Sequence, residues 1–139
     1  MSRDYRKLQV FKFTDELVIM VYTATRTFPK SEMFGLTSQL RRASVSVPTN
    51  IVEGSHRSTI GDYLRFLDIG LGSLAETGYL LNLSNRLGFI DTEPYKKLYV
   101  HYGSCIRMLK ALINSLRKTL KRQRPKPTAK SPKPNTNAI

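Results

Sequence analysis

Glu53 and His56 have the Glu-x-x-His spacing that di-iron and di-manganese helix bundles place on two of their four helices. Such a centre also needs a second pair of this kind and two more inward-facing glutamates. The other histidine, His101, has no glutamate three residues before it, and Glu93 is the last carboxylate side chain of the sequence. Most ligands of a di-metal centre are therefore missing, and we expect no metal site and no cofactor.

The remaining reactive residue types do not predict catalysis either. Cys105 falls among apolar residues at helical spacing, which favours a small core side chain. Gly72 and Ser73 do not form a G-x-S-x-G turn, and they lie within a helical segment. The sequence contains neither G-x-x-x-x-G-K-[ST] nor G-x-G-x-x-G, the two common phosphate-binding loops. We expect a protein without enzymatic activity, and a metal enzyme built on Glu53 and His56 is the competing class.

Positive charge is concentrated in the last third of the sequence. The 139 residues include 23 Lys and Arg against 10 Asp and Glu, a net charge of +13. Residues 1–93 hold 11 of the cations and all 10 acids, whereas residues 94–139 hold 12 cations and no acid. Such a distribution is typical of a surface that binds a polyanion, and the alternative is a solubilising face followed by a tail.

The cations expected to contact nucleic-acid phosphates lie on one side of the fourth predicted helix and continue beyond it. They are Lys96, Arg107, Lys110, Arg117, Lys118, Lys121, Arg122, Arg124 and Lys126. Few aromatic residues accompany them, so the pattern indicates phosphate contacts rather than recognition of particular bases.

Four segments with apolar residues at helical spacing must position these groups. They predict helices over about 7–28, 58–87 and 92–122, and a second helix that begins at residue 31 or 36 and ends at about residue 56. Ser58 caps the third helix and Gly88 ends it. Short connections favour an all-α, antiparallel up-down-up-down four-helix bundle over residues 1–122. Residues 123–139 are rich in proline and lysine, which predicts a disordered basic tail.

The longest apolar run has six residues, and we expect a cytoplasmic protein that does not insert into a membrane.

Two helices carry features that indicate close packing. The third contains Gly70, Gly72 and Gly78, which suggests that another backbone approaches it. The fourth carries a second apolar stripe beside its main one, and this suggests burial between subunits. The members of that stripe are Tyr99, Ile106, Ile113 and Leu120.

The segment RRASVSVPTNIVEG, residues 41–54, places Pro48 inside the second helix. Proline frees a backbone carbonyl and bends a helix, and small polar neighbours can satisfy the freed groups while another helix approaches. We expect Glu53 and Arg41 or Arg42 to pair with Glu76, Arg65 or Asn50 across the second and third helices. We therefore interpret the segment as structural. The motif residues are Arg41, Arg42, Pro48, Asn50, Glu53, Gly54, Arg65, Gly72, Ser73 and Glu76.

GLTSQLRRASVSVPTNIVEGSHRS, followed by RFLDIGLGSLAETGYLL and LGFI, resembles the four-helix-bundle proteins encoded in intervening sequences of bacterial large-subunit ribosomal RNA. The same family includes the accessory variability determinant of diversity-generating retroelements. One departure is Gly70, where alanine is usual. The resemblance implies an antiparallel four-helix bundle that assembles as a pentamer and has no established catalytic activity.

For the accessory protein, the resemblance implies a basic pentamer that binds nucleic acid and associates with a reverse transcriptase. That enzyme copies a template RNA into mutagenised cDNA. The expected partners are therefore RNA or an RNA–DNA hybrid, a reverse transcriptase and further copies of the chain. The alternative is an intervening-sequence-type bundle that acts as a protein–protein interaction scaffold.

Overall fold

The computed structural model describes residues 3–124 and contains four helices. These are α1 (Gln9–Thr25), α2 (Leu36–Ser55), α3 (Ile60–Arg86) and α4 (Thr92–Gln123). Short 3-10 turns, Tyr5–Lys7 and Lys30–Glu32, precede α1 and α2, and the described residues form no strand. Each helix packs against the next one and α1 also packs against α4, whereas the Cα atoms of the diagonal helix pairs stay more than 8 Å apart. The chain is therefore an all-α four-helix bundle, as the sequence predicts.

The helix ends differ from the predicted ones by a few residues. α1 ends at Thr25 rather than Phe28, because Pro29 disfavours helical backbone in the residue before it. Thr59, not Ser58, caps α3, and its side-chain oxygen accepts a hydrogen bond from the Asp62 amide. Gly88 has a φ of 80° after α3, in the left-handed region expected there. α4 continues through Gln123, one residue past the predicted bundle boundary, and residues 125–139 of the predicted tail lie outside the described residues.

The core lies where the predicted apolar stripes face each other. Leu17, Leu40, Leu67 and Leu109, one from each helix, are completely buried. The sequence suggested that the second stripe of α4 is buried between subunits, and this is wrong at Ile113, which lies in the core of its own chain. Ile113 is 2% exposed in the core of its own chain, and Ile106 and Leu120 pack against that core. α4 contacts both α1 and α3, so it needs a wide apolar arc, and of this stripe only Tyr99 is largely exposed.

The glycines of α3 have three different surroundings. A Cβ atom at Gly70 would lie 3.6 Å from the backbone oxygen of Val47, so α2 and α3 approach closely there. At Gly78 the neighbour is the ring of Tyr102 rather than a backbone. At Gly72 no atom of the described residues lies within 4 Å of that position. The expectation of a close backbone is therefore correct at Gly70 and wrong within this chain at the other two positions.

Candidate nucleic-acid interface

The predicted phosphate-binding cations are displayed along the solvent-facing side of α4. All eight that fall within the described residues are exposed: Lys96, Arg107, Lys110, Arg117, Lys118, Lys121, Arg122 and Arg124. We call these eight residues the α4 ridge. At 1.5 Å per residue the ridge extends for about 42 Å. Lys126, the last residue of the predicted set, lies outside the described residues.

Few acids neutralise the α4 ridge. Lys96 Nζ lies 3.3 Å from Glu93 Oε1, and Arg117 Nη2 lies 3.5 Å from Asp68 Oδ1. Both are exposed contacts, and exposed ion pairs are weak because water screens them. The other six cations of the ridge make no ion pair within residues 3–124. From Arg107 to Arg124 the exposed cations are therefore largely unneutralised, whereas Lys96 lies eleven residues before Arg107 and is paired with Glu93.

Three further exposed arginines, Arg3, Arg57 and Arg65, lie at or before the start of α3, and the sequence pattern did not predict them as part of the interface. The guanidinium carbons of Arg57 and Arg65 lie 4.4 and 5.1 Å from the ring centre of Phe66. Arg3 Nη1 donates a hydrogen bond to the backbone oxygen of Arg57. These arginines lie at the end of the bundle where α4 finishes, since Arg3 shares a cavity with Thr119 of α4. Positions so distant along the chain carry no sequence signal that would have joined them to α4.

The proline segment holds α2 against α3. α2 continues through Pro48, which is buried. Thr49 Oγ1 donates to the Val45 carbonyl at 2.7 Å, and Asn50 Nδ2 donates to the Ser46 carbonyl at 2.7 Å. The hydroxyl oxygens of Ser46 and Ser73 lie 2.8 Å apart and join the two helices.

Gly54, at the end of the same segment, allows the second close contact between α2 and α3. A Cβ atom there would lie 2.9 Å from Tyr63 Cδ1 and 3.0 Å from Phe66 Cβ. A larger residue at this position would therefore push against a fully buried tyrosine. The structure thus places Pro48, Asn50, Gly54 and Ser73 in or beside helix packing.

The expected charge pairs of this segment do not form within the described residues. Arg41 turns towards α1 instead of α3: its Nε donates to Thr25 Oγ1 at 2.8 Å, and its guanidinium lies 4.6 Å from the ring centre of Tyr22. The other charged motif residues are exposed and make no ion pair within residues 3–124. They are Arg42, Glu53, Arg65 and Glu76. A buried charge must be paired, but an exposed charge is solvated by water and needs no partner. The expected pairs are therefore not required.

Arg42 and Glu76 nevertheless face the same space. They line a polar crevice of about 520 Å³ between α2 and α3, together with the hydroxyls of Ser46 and Ser73. Phe34 stands at this crevice with 94% of its surface exposed. The side of the bundle formed by α2 and α3 therefore combines an aromatic ring, a guanidinium and a carboxylate at one position.

The residues considered for catalysis lie on two different helices: Glu53 and His56 at the end of α2, and His101 and Cys105 within α4. Glu53 and His56 are exposed, and His56 Nδ1 is 2.9 Å from the Val52 carbonyl oxygen. His101 Nε2 is 2.8 Å from the Phe13 carbonyl oxygen, a contact that ties α4 to α1. Cys105 is fully buried, and burial raises the pKa of its thiol to about 12. Residues 3–124 contain no cluster of three or more His, Cys, Asp or Glu side chains able to hold a metal ion.

Comparison with known proteins identifies the bundle. The sequence model of the 23S rRNA-intervening sequence protein family matches residues 6–111. The chain belongs to this family. The matched region of the intervening-sequence protein ends within α4, before the five ridge cations from Arg117 to Arg124. No helix among the described residues is long and apolar enough to cross a membrane.

A solved structure has a similar fold. It is a protein of unknown function from the S23 ribosomal protein family of Bacteroides thetaiotaomicron VPI-5482. The two sequences are 24% identical, and the alignment covers 76% of this intervening-sequence protein and 95% of the other chain with a TM-score of 0.69. The comparison with curated proteins finds no match.

Proposed function

We propose that this intervening-sequence family protein is a non-catalytic accessory protein that binds RNA or an RNA–DNA hybrid through phosphate contacts. The observation that supports the proposal is the α4 ridge, in which eight cations are exposed and six have no ion pair within residues 3–124. Each phosphate neutralised by such a cation releases condensed counterions, which drives binding without reference to sequence.

The surface between the cations suits a phosphate backbone better than individual bases. Ala111 and Asn114 are short exposed residues on the same side of α4. Tyr99 is the exposed aromatic residue of α4, and its ring centre lies 5.7 Å from the ring centres of Tyr95 and Tyr102. A ring held among other rings is less available for stacking on a base, so binding with little base preference is expected.

The proposed assembly is a pentamer that associates with a reverse transcriptase, as the retroelement accessory protein does. This part of the proposal rests on the resemblance of the sequence segments quoted above. Exposed apolar side chains support protein contacts: Ile19 is 63% and Val100 is 70% exposed. Ile19 borders an apolar groove of about 370 Å³ between α1 and α4, and such surfaces are typical of interaction sites.

The test replaces four ridge cations with glutamate: Lys110, Arg117, Lys121 and Arg122. Binding to single-stranded RNA and to an RNA–DNA hybrid is measured at several salt concentrations. We expect the variant to lose binding near 50 mM salt, and single lysine-to-glutamine changes to lower the salt slope by about 0.7 each on a single strand. Circular dichroism checks that the bundle remains folded.

The matched control reverses four exposed cations that lie outside α4. These are Arg26, Lys30, Arg42 and Arg86. Both variants have the same net charge, so a loss of nucleic-acid affinity caused by overall charge would be equal in the two. If the ridge variant binds as tightly as the wild type, or if the control loses as much affinity, the α4 ridge is not the nucleic-acid interface.

The polar crevice between α2 and α3 favours a second candidate function, that of a protein-interaction scaffold. Phe34 is almost completely exposed beside Arg42 and Glu76, a combination suited to a protein partner. The gene neighbourhood distinguishes the two functions at little cost. A reverse transcriptase gene with a template repeat favours the accessory protein, and a ribosomal RNA operon favours the scaffold.

A further inference from the structure

A small cavity lies at the end of the bundle where α3 begins and α4 finishes. It has a volume of about 190 Å³ and is lined by Arg3, Ile60, Tyr63, Leu116 and Thr119. Tyr63 is only 1% exposed, and its phenol oxygen has no hydrogen-bond partner among the described residues. Buried hydroxyls are nearly always hydrogen-bonded, so an unpartnered one on the wall of a cavity points to an occupant that accepts or donates a hydrogen bond.

Besides the Tyr63 hydroxyl, Arg3 is the lining residue that offers free side-chain hydrogen-bond donors to the cavity. The guanidinium carbon of Arg3 lies 5.8 Å from the ring centre of Tyr63. One of its nitrogens is used by the Arg57 carbonyl, and the other N–H groups of the fork stay available. Thr119 lines the cavity from α4, but its hydroxyl donates to the Ser115 carbonyl at 3.2 Å and leaves only lone pairs for an occupant. The lining includes no carboxylate.

The amino end of α3 supplies further donors beside the cavity. The Asp62 amide donates to Thr59 Oγ1, and the Tyr63 amide donates to the Thr59 carbonyl. The amides of Ile60 and Gly61, the first two of the helix, have no acceptor within residues 3–124. The positive end of the helix dipole and the free amides both favour an anion there.

Tyr63 is suited to donate to such an anion. Burial raises the pKa of its hydroxyl above the usual value, and the nearby Arg3 partly opposes this effect. The hydroxyl therefore keeps its proton at neutral pH. Asp62, the acid nearest in sequence, is exposed and does not line the cavity.

We propose that this cavity binds a phosphate-class anion, held by the Tyr63 hydroxyl, the Arg3 guanidinium and the first amides of α3. The volume exceeds the roughly 30 Å³ share of one water molecule. Free phosphate and a phosphate group of a nucleic acid present the same oxygens. In α4, Lys118 directly precedes Thr119 and Arg122 follows it by three residues, so a nucleic acid bound to the α4 ridge would pass near the cavity. The site does not require that the ridge binds nucleic acid.

The test is Tyr63→Phe, which removes the hydroxyl and keeps the ring that packs against Gly54. Thermal unfolding is followed with increasing inorganic phosphate, against sodium chloride at equal ionic strength. Phosphate raises the melting temperature of the wild type, and Tyr63→Phe weakens phosphate binding by at least about tenfold because a hydrogen bond to a charged group is lost. Without phosphate the variant melts at the same or a higher temperature, since an unsatisfied buried hydroxyl no longer has to be accommodated.

Tyr79→Phe is the matched control, because Tyr79 is exposed and remote from the cavity lining. It responds to phosphate as the wild type does. If phosphate stabilises the wild type no more than sodium chloride, the cavity holds water only and the proposal is overturned. The proposal is equally overturned if Tyr63→Phe gains as much stability from phosphate as the wild type.

Oligonucleotides identify the source of the anion. Affinities of the wild type and Tyr63→Phe are compared for the same RNA with and without a 5′-phosphate. A weaker affinity of the variant for either RNA supports the proposal with nucleic acid as the source. Unchanged RNA affinities, combined with lost binding of inorganic phosphate, support it with free phosphate as the source. The phosphate measurement remains decisive even if the ridge binds no RNA.

Discussion

The ring of Tyr102 packs directly onto the backbone of Gly78, so α4 rests on α3 at a position where α3 has no side chain. A Cβ atom at Gly78 would lie 2.8 Å from Tyr102 Cε1, closer than real atoms approach. We expect Gly78→Ala to lower the free energy of unfolding by about 1–2 kcal/mol, because overpacking outweighs the helix propensity of alanine, about 1 kcal/mol. Urea unfolding followed by circular dichroism measures the change.

Gly72→Ala is the control within the same helix. No atom lies within 4 Å of the added Cβ in residues 3–124, so only the helix propensity changes. We expect it to raise the free energy of unfolding by about 0.5–1 kcal/mol. Effects of the same sign at both positions would contradict the packing seen at Gly78.

The Ser46–Ser73 contact joins α2 to α3 through two hydroxyls 2.8 Å apart. In a double-mutant cycle with Ser46→Ala and Ser73→Ala, we expect a coupling of about 0.5–1.5 kcal/mol, the value of one neutral hydrogen bond. Asn50 Nδ2 also approaches Ser46 Oγ at 3.1 Å but keeps the Ser46 carbonyl as its acceptor in the variant. Pairing Ser46→Ala with Ser115→Ala, an exposed serine of α4, gives the control, and its coupling is expected to be near zero.

Cys105 is expected to be unreactive in the folded protein. Burial raises the pKa of its thiol from 9.0 to about 12, which lowers the thiolate fraction near pH 8 about a thousandfold. Alkylation by iodoacetamide, followed by mass spectrometry, should therefore proceed in urea and hardly at all in buffer. Rapid alkylation of the native protein would show that the thiol is accessible.

The raised pKa of the Cys105 thiol makes the free energy of unfolding fall as the pH rises. In the unfolded chain the thiol loses its proton near pH 9, whereas in the folded chain it keeps the proton up to about pH 12. The folded state therefore binds more protons between these values, and the stability contribution present below pH 9 declines as the pH rises towards 12. Cys105→Ala removes this part of the pH dependence, and urea unfolding at pH 7 and pH 10 compares the two proteins.

Much of the fold follows from local patterns. The apolar spacing located all four helices, and Gly88 marked the end of α3, because these features depend on neighbours within a few residues. Local sequence patterns could not predict the contact partner of Arg41. Whether its side chain turns to α1 or to α3 depends on how α2 is rotated in the bundle, and its contact with Thr25 spans 16 residues.

The candidate site shows the same division. Exposure of the α4 ridge follows from a helix whose charges all lie away from its apolar stripe. The cavity at Tyr63 brings together residues from three separate parts of the chain, with Arg3 and Thr119 at opposite ends of the described region. No local sequence pattern predicts that these three segments line one cavity. An unpartnered hydroxyl becomes visible only when the surrounding atoms are known.

The last turns of α4 depend on the core less than the rest of the helix. Leu116 is the final fully buried residue, and the like charges Arg117 and Lys121, or Lys118 and Arg122, stand four positions apart. Repulsion at that spacing destabilises a helix by a few tenths of a kcal/mol per pair. Backbone amides in these turns therefore exchange with deuterium sooner than those near Leu109. If the α4 ridge binds a polyanion as proposed, we expect the bound polyanion to neutralise this repulsion and slow the exchange, so that binding orders the end of the helix.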